Sequence, residues 1–235
     1  LLLSQQRLGI SRSWAARVAY AYEIDLGAQR RLRMGIQGSL RQLAIDLSEA
    51  SVLPLEGNDP VVLAGLESSH HLSNWGSGWY YLDRHFFLGF SIPNIRANAI
   101  RMGRRAGQLE VAREARHFYY LAGFSWRWSK KIEAQPVVLV KAAKNSPWSM
   151  DFNFRLAYQD HLVTGLSYRY GADRRGESVA LSWRYTVRFL EIGIAYDWLI
   201  SPLTNSANGS IEVLSRYTFG KPQKAPIPLK ISILF

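Results

Sequence analysis

The sequence predicts an all-β fold, a transmembrane antiparallel β-barrel. Three observations carry that reading. Apolar and polar residues alternate with period two over most of the chain, the connections between these stretches alternate between short and long, and aromatic residues collect at the ends of the apolar face. About 12 strands are visible, counting Leu1 to Leu8 as the tail of one, and a missing N-terminal part is expected to supply the rest of the barrel.

The strongest alternation lies between Val179 and Trp198. Val179, Leu181, Trp183 and Tyr185 share one face with Leu190, Ile192, Ile194, Tyr196 and Trp198. Ala180, Ser182 and Arg184 share the other with Glu191, Gly193, Ala195 and Asp197. Period two over this length is the signature of a strand pair. A soluble sandwich can also bury a large apolar face, so this hairpin does not settle the class alone.

Earlier strands follow the same rule. Residues 10–24 place Trp14, Val18, Tyr20, Tyr22 and Ile24 together, and after a turn at 25–30 the stretch 31–41 sets Leu32, Met34, Ile36 and Leu40 against Arg31, Arg33, Gly35, Gln37 and Arg41. Leu1 to Leu8 reads as the tail of another strand. The breakers Pro54, Gly57 and Pro60 predict an irregular loop over 45–75 with one short helical turn near 61–66, and that loop would carry His70 and His71 as solvated residues. A hairpin follows over 78–92, turning at Asp83-Arg84. The basic stretch 94–115 reads as a loop with a short helix in its second half. From His117 to Phe219 the alternation is regular, with turns at 129–130, 159–160 and 186–188 and longer connections at 171–177 and 199–208.

Short connections at one end and long ones at the other match the periplasmic turns and external loops of outer-membrane barrels. Tyr22, Trp126, Trp128, Tyr158 and Tyr185 sit near short turns, while Phe118, Trp148, Tyr170 and Trp198 sit near long loops. Two aromatic girdles are what lipid interfaces select. Residues 1–219 are thus one barrel domain, and 220–235 a periplasmic, Pro-rich tail. The tail is either unstructured filler or an arm whose Lys230, Ile231, Ile233, Leu234 and Phe235 dock on a partner by strand addition.

The 235 residues carry a net charge of +11 and no cysteine. Zero cysteine excludes a disulfide framework and a thiolate metal site. The basic residues are spread through successive strands rather than gathered on one tail or helix, which excludes nucleic acid as the natural partner. They fall on the polar face: Arg33, Arg127, Lys141, Arg155, Arg169, Arg184 and Arg216, with Glu191, Asp197 and Glu212 as counter-charges. This lumenal charge either braces a narrow barrel or lines an anion pathway. Pairing His117 with Ser149, or His161 with Asp160, into a hydrolytic set would join residues of different connections, and no catalytic or metal site and no cofactor is expected.

Gly89-Phe90-Ser91-Ile92-Pro93-Asn94 resembles the GFSIPN signature of the PorP/SprF family of type IX secretion outer-membrane proteins. The order of further pieces is similar to that family as well: Asp-Leu-Ser at 46–48, Asn-Asp-Pro at 58–60, the strand 116–123, Leu-Val-Lys at 139–141, Gly-Leu-Ser-Tyr-Arg at 165–169 and Gly-Ile-Ala-Tyr-Asp at 193–197. The resemblance implies a non-enzymatic barrel in the bacterial outer membrane, of about 14 strands once the missing N-terminal part is counted, in contact with lipid and with other envelope or secretion-complex subunits. It implies a role in the export or anchoring of sorting-domain adhesins by the type IX secretion and gliding machinery. An accessory subunit of another outer-membrane complex and a narrow anion-preferring porin are the alternatives. The family has no catalytic motif to carry over.

Overall fold

A computed structural model describes residues 1–9, 11–46, 67–102, 109–159, 161–173, 177–200 and 209–219. They form strands and turns. The first three strands are β1 (Leu2–Leu8), β2 (Ser11–Gly27) and β3 (Arg30–Asp46). Next come β4 (Glu67–Leu82), β5 (Phe86–Ile92), β6 (Ala99–Met102) and β7 (Leu109–Arg113). Then follow β8 (His117–Phe124), β9 (Trp126–Arg127), β10 (Ile132–Ala143) and β11 (Ser146–Tyr158). The last four are β12 (Leu162–Gly171), β13 (Ser178–Val187), β14 (Leu190–Leu199) and β15 (Ser210–Tyr217). No helix among the described residues is long and apolar enough to cross a membrane.

Twelve strands follow one another by hydrogen bonding in chain order, β1-β2-β3-β4-β5-β8-β10-β11-β12-β13-β14-β15, while β9 adds to β10 and β6 pairs only with β7. Nearest-neighbour antiparallel order is the meander that builds transmembrane barrels. The hairpin β13–β14 shows how register sorts the side chains. Leu181 lies across from Tyr196 and Trp183 from Ile194 on one face; Ser182 lies across from Ala195 and Arg184 from Gly193 on the other.

Burial is inverted relative to a protein that folds in water. The large apolar side chains are the exposed ones, among them Trp75, Trp79, Leu166, Trp183, Ile192 and Ile194. The buried set contains Asn74, Gln135, Arg155, Glu177, Ser178, Ser182 and Arg184. Water would not tolerate so continuous an apolar surface, whereas hydrocarbon requires it. The sheet therefore exposes an aromatic and aliphatic face and buries a small and charged one.

The chain divides into two compact units: residues 1–22, 33–79 and 91–117 form the first, and 23–32, 80–90 and 118–235 the second. In the first, Ile36, Leu40, Trp75 and Trp79 occupy the exposed apolar face of β3 and β4. Toward the end of that face the residues turn polar: Gln42 bonds Ser69 across the strands at 3.2 Å, and His71 is exposed. In the second, a small apolar cluster lies on the otherwise polar face. Phe87 is fully buried against Leu82, with Tyr80, Leu121 and Val137 packed around them.

Two expectations need correction. The irregular segment over 45–75 ends early, because β4 starts at Glu67 and carries His70 and His71 as strand residues. Their stretch lacks apolar alternation because Gln42, Ser69 and His71 occupy the outward positions there. The helical turn near 61–66 and the tail 220–235 lie outside the described residues. The 94–115 segment is not a loop ending in a helix: Ala99–Met102 and Leu109–Arg113 pair as an antiparallel hairpin, Ala99 opposite Arg113 and Met102 opposite Leu109.

Candidate functional site

The signature Gly89–Asn94 closes β5 and starts the run that leads to the β6–β7 hairpin. Within the first unit this run is fastened to the polar face of β3 and β4. Gln37 donates from Nε2 to the Pro93 carbonyl at 2.7 Å. The same carbonyl lies against Gly76, where any side chain would displace it. Gly76 is therefore required by a close backbone approach, not by its own φ. Ile95 donates its N–H to the Trp75 carbonyl at 2.8 Å.

Asn74 then acts as a surrogate peptide group. Its Nδ2 donates to the Arg96 carbonyl at 2.7 Å, and its Oδ1 accepts the Arg96 N–H at 2.9 Å. The residue is 5% exposed. Asn98 donates to the Ser73 carbonyl at 3.0 Å and to Glu114 Oε2 at 2.7 Å. Glu114, at the other end of the hairpin, also receives Asn74 Nδ2 at 3.3 Å and the guanidinium of Arg41. Its own N–H reaches the Asn98 carbonyl at 2.8 Å. Both ends of the 93–117 segment thus converge on one carboxylate. A buried polar cluster of this kind is stable only because each group finds a partner.

In the second unit the polar face carries a belt of charges. Asp151 sits between Lys141 at 2.5 Å and Arg169 at 3.5 Å. Glu191 sits between Arg184 at 3.8 Å and Arg216 at 3.3 Å. Arg155 and Arg184 are buried, Lys141, Glu191 and Asp197 half-buried, and Arg127, Arg169, Glu212 and Arg216 exposed; Arg33, in the first unit, is half-buried. Glu212 and Arg216 are open because β15 pairs with β14 alone among the described residues. Lys141, Asp151, Arg169 and Asp197 line a cavity of about 290 Å³ whose floor is Leu121, Val137 and Leu139. The arrangement joins Lys141 with Arg169, and Arg184 with Arg216, each pair through one carboxylate. Arg127 lies instead near Arg84, His85 and Gln29 around a second cavity at the short turns.

Sequence reasoning passed over Asn74, Gln37, Arg41 and Glu114 because their partners lie up to 73 residues away. It also passed over Phe87, an aromatic on the polar face. Its parity, opposite to Phe86 and Leu88, was the available signal.

Among the described residues no group of three or more His, Asp or Glu is placed to hold a metal ion. His117 and Ser149 belong to β8 and β11, and β10 runs between those strands. His161 Nδ1 lies 3.2 Å from the Thr186 carbonyl.

No curated protein sequence matches the chain. The type IX secretion system membrane protein family PorP/SprF matches residues 1–217, which takes in every described strand. With that match, the signature at 89–94 and the inverted sheet in hand, the chain belongs to the PorP/SprF family of type IX secretion system membrane proteins.

Proposed function

We propose that this chain is a non-enzymatic outer-membrane barrel subunit of the type IX secretion and gliding machinery. It anchors or helps export a sorting-domain adhesin and contacts other envelope subunits. The observation that carries the reading is the family match over residues 1–217. The exposed aromatic face supports residence in lipid, and the absence of a catalytic motif in the family supports a structural task. The signature Gly89, Phe90, Ser91, Ile92, Pro93 and Asn94 serves this function by setting the course of the segment that follows it. Lys230, Ile231, Ile233, Leu234 and Phe235 form the partner-docking tail.

The test is co-purification of the tagged full-length protein from its native host in mild detergent, with identification of partners by mass spectrometry. Recovery of a large sorting-domain adhesin or of secretion-core subunits supports the proposal. Recovery of a different stable envelope assembly makes it an accessory barrel of that assembly. Isolation of the protein alone overturns it. Deleting residues 220–235 should weaken partner recovery without loss of the folded barrel.

A second reading, a narrow anion-preferring porin, is favoured by the arginines and lysine of the polar face. Phe87, Tyr80 and Leu121 on the same face count against a wide channel, because they fill space that a water column would need.

A further inference from the structure

Two rows of paired residues cross the polar face of the second unit. In the first, Leu139 lies across from Asp151, Asp151 from Arg169 and Arg169 from Ser178. The second runs from Val137 through Asn153, Ser167 and Ala180 to Asp197. Ser167, Ser178 and Ala180 are small, and the charged side chains stand around them. The cavity of about 290 Å³ lies over these rows, and all of its lining belongs to the second unit. Its volume is at the small end of ligand sites.

The charges in the lining are not equivalent. Asp151 is matched by Lys141 and Arg169. Asp197 is not: its Oδ1 is buried without a hydrogen bond, and its carboxylate makes no ion pair among the described residues. Ala180, across from it on β13, offers no counter-charge. A half-buried carboxylate costs free energy until a donor meets it. Arg169 meets Asp151 through Nε, and its terminal nitrogens donate no hydrogen bond among the described residues. That leaves the planar fork that suits a carboxylate. Lys141 and Arg169 both keep exposed surface.

The cavity therefore offers an acceptor at Asp197, donors at Arg169 and Lys141, and an apolar floor of Leu121, Val137 and Leu139. A simple anion would face Asp151 and Asp197. A simple cation would face Lys141 and Arg169. A neutral polyol would leave the charge of Asp197 unmatched. A zwitterion with an apolar body suits every group.

We infer that this cavity binds a zwitterion of amino-acid size with an apolar side chain. The ligand carboxylate lies against Arg169 and Lys141, its ammonium against Asp197, and its side chain on the apolar floor. This adds a small-molecule site to the secretion-subunit reading and does not depend on which cargo is carried.

The probe is L-leucine, followed by saturation-transfer NMR on the full-length protein in detergent. Two analogues each lack one charge: isocaproate has no ammonium, and leucinamide has no carboxylate. The variants are Asp197→Asn, Arg169→Gln and Ala180→Leu, the last to fill the cavity. Folding of each is checked by its urea midpoint. Leucine should bind the wild type saturably, with a Kd of about 1 mM or tighter. Losing either ligand charge, or either protein partner, should weaken binding about tenfold or more. Folded Ala180→Leu should not bind. No saturable binding of leucine to the wild type overturns the inference. So does isocaproate or leucinamide binding as tightly as leucine, which would make the cavity a plain anion or cation site. Wild-type binding in folded Asp197→Asn or Ala180→Leu overturns it as well, since leucine then sits elsewhere. The measurement uses purified protein without partners, so a failure here leaves the secretion reading to its own co-purification test.

Discussion

The ring of Phe87 occupies the space that a side chain at Gly123 would need. Phe87 is fully buried and Gly123 belongs to the adjacent strand β8, so the pair is a knob in a glycine-shaped hole on the polar face. Adding a methyl by Gly123→Ala forces the ring or the strand to move, which costs about 1–3 kcal/mol. Phe87→Ala removes the knob and leaves a cavity, at a cost of about 3–5 kcal/mol. The double variant should recover part of the Gly123→Ala loss, since the added methyl then has room. Urea unfolding of the reconstituted protein, followed by tryptophan fluorescence, measures all three.

The inverted burial makes a prediction for the lipid face. Leu166 is exposed and lies across from Leu181 in the middle of β12 and β13. Leu166→Arg places a charge in hydrocarbon and should cost about 2–4 kcal/mol. Leu166→Phe should be close to neutral. If the arginine variant folds into vesicles as stably as the wild type, the face assigned to lipid does not meet lipid.

The strands from β10 to β15 were legible because one alternation, apolar side chains on one face and small or polar ones on the other, runs along their whole length. That alternation stops near the end of β3 and the start of β4. Gln42, Ser69 and His71 on their outward side follow no apolar period, so the start of β4 reads as loop. The β6–β7 hairpin was hidden for a related reason: its pairing is local, and its basic, glycine-containing sequence has no apolar face to announce it. The signature was recognisable as a resemblance, but its physical task was not. The Pro93 carbonyl meets Gln37 across 56 positions of chain. No local pattern links residues that far apart.

The turn between β2 and β3 carries avoidable strain. Ala28 and Gln29 both have positive φ, 50° and 65°, in a two-residue hairpin connection. Left-handed backbone at a residue with a Cβ costs roughly 1–2 kcal/mol. Asn-Gly is the pair that suits this turn. Ala28→Asn with Gln29→Gly should therefore raise stability by about 1 kcal/mol or more and leave the fold unchanged. The measurement is the urea midpoint at constant m-value. No change in midpoint would mean that the positive φ values are accommodated without cost.

Asp151 holds Lys141 and Arg169 together at the wall of the polar-face cavity. Its own side chain is only 15% exposed, whereas Lys141 and Arg169 are 34% and 46% exposed. Asp151→Asn removes the shared negative charge but keeps the shape. The cations can turn to water, so the cost in stability should stay about 1–2 kcal/mol, below that of a fully buried pair. The electrostatic effect should be clearer than the energetic one: two uncompensated cations now face the cavity. If ions pass this belt, Asp151→Asn shifts the reversal potential in a salt gradient toward that of chloride. Lys141→Gln shifts it the other way. Both variants are compared with the wild type after reconstitution into planar bilayers. Equal reversal potentials in all three proteins would show that ions do not pass Asp151, and would leave the charge belt with bracing as its role.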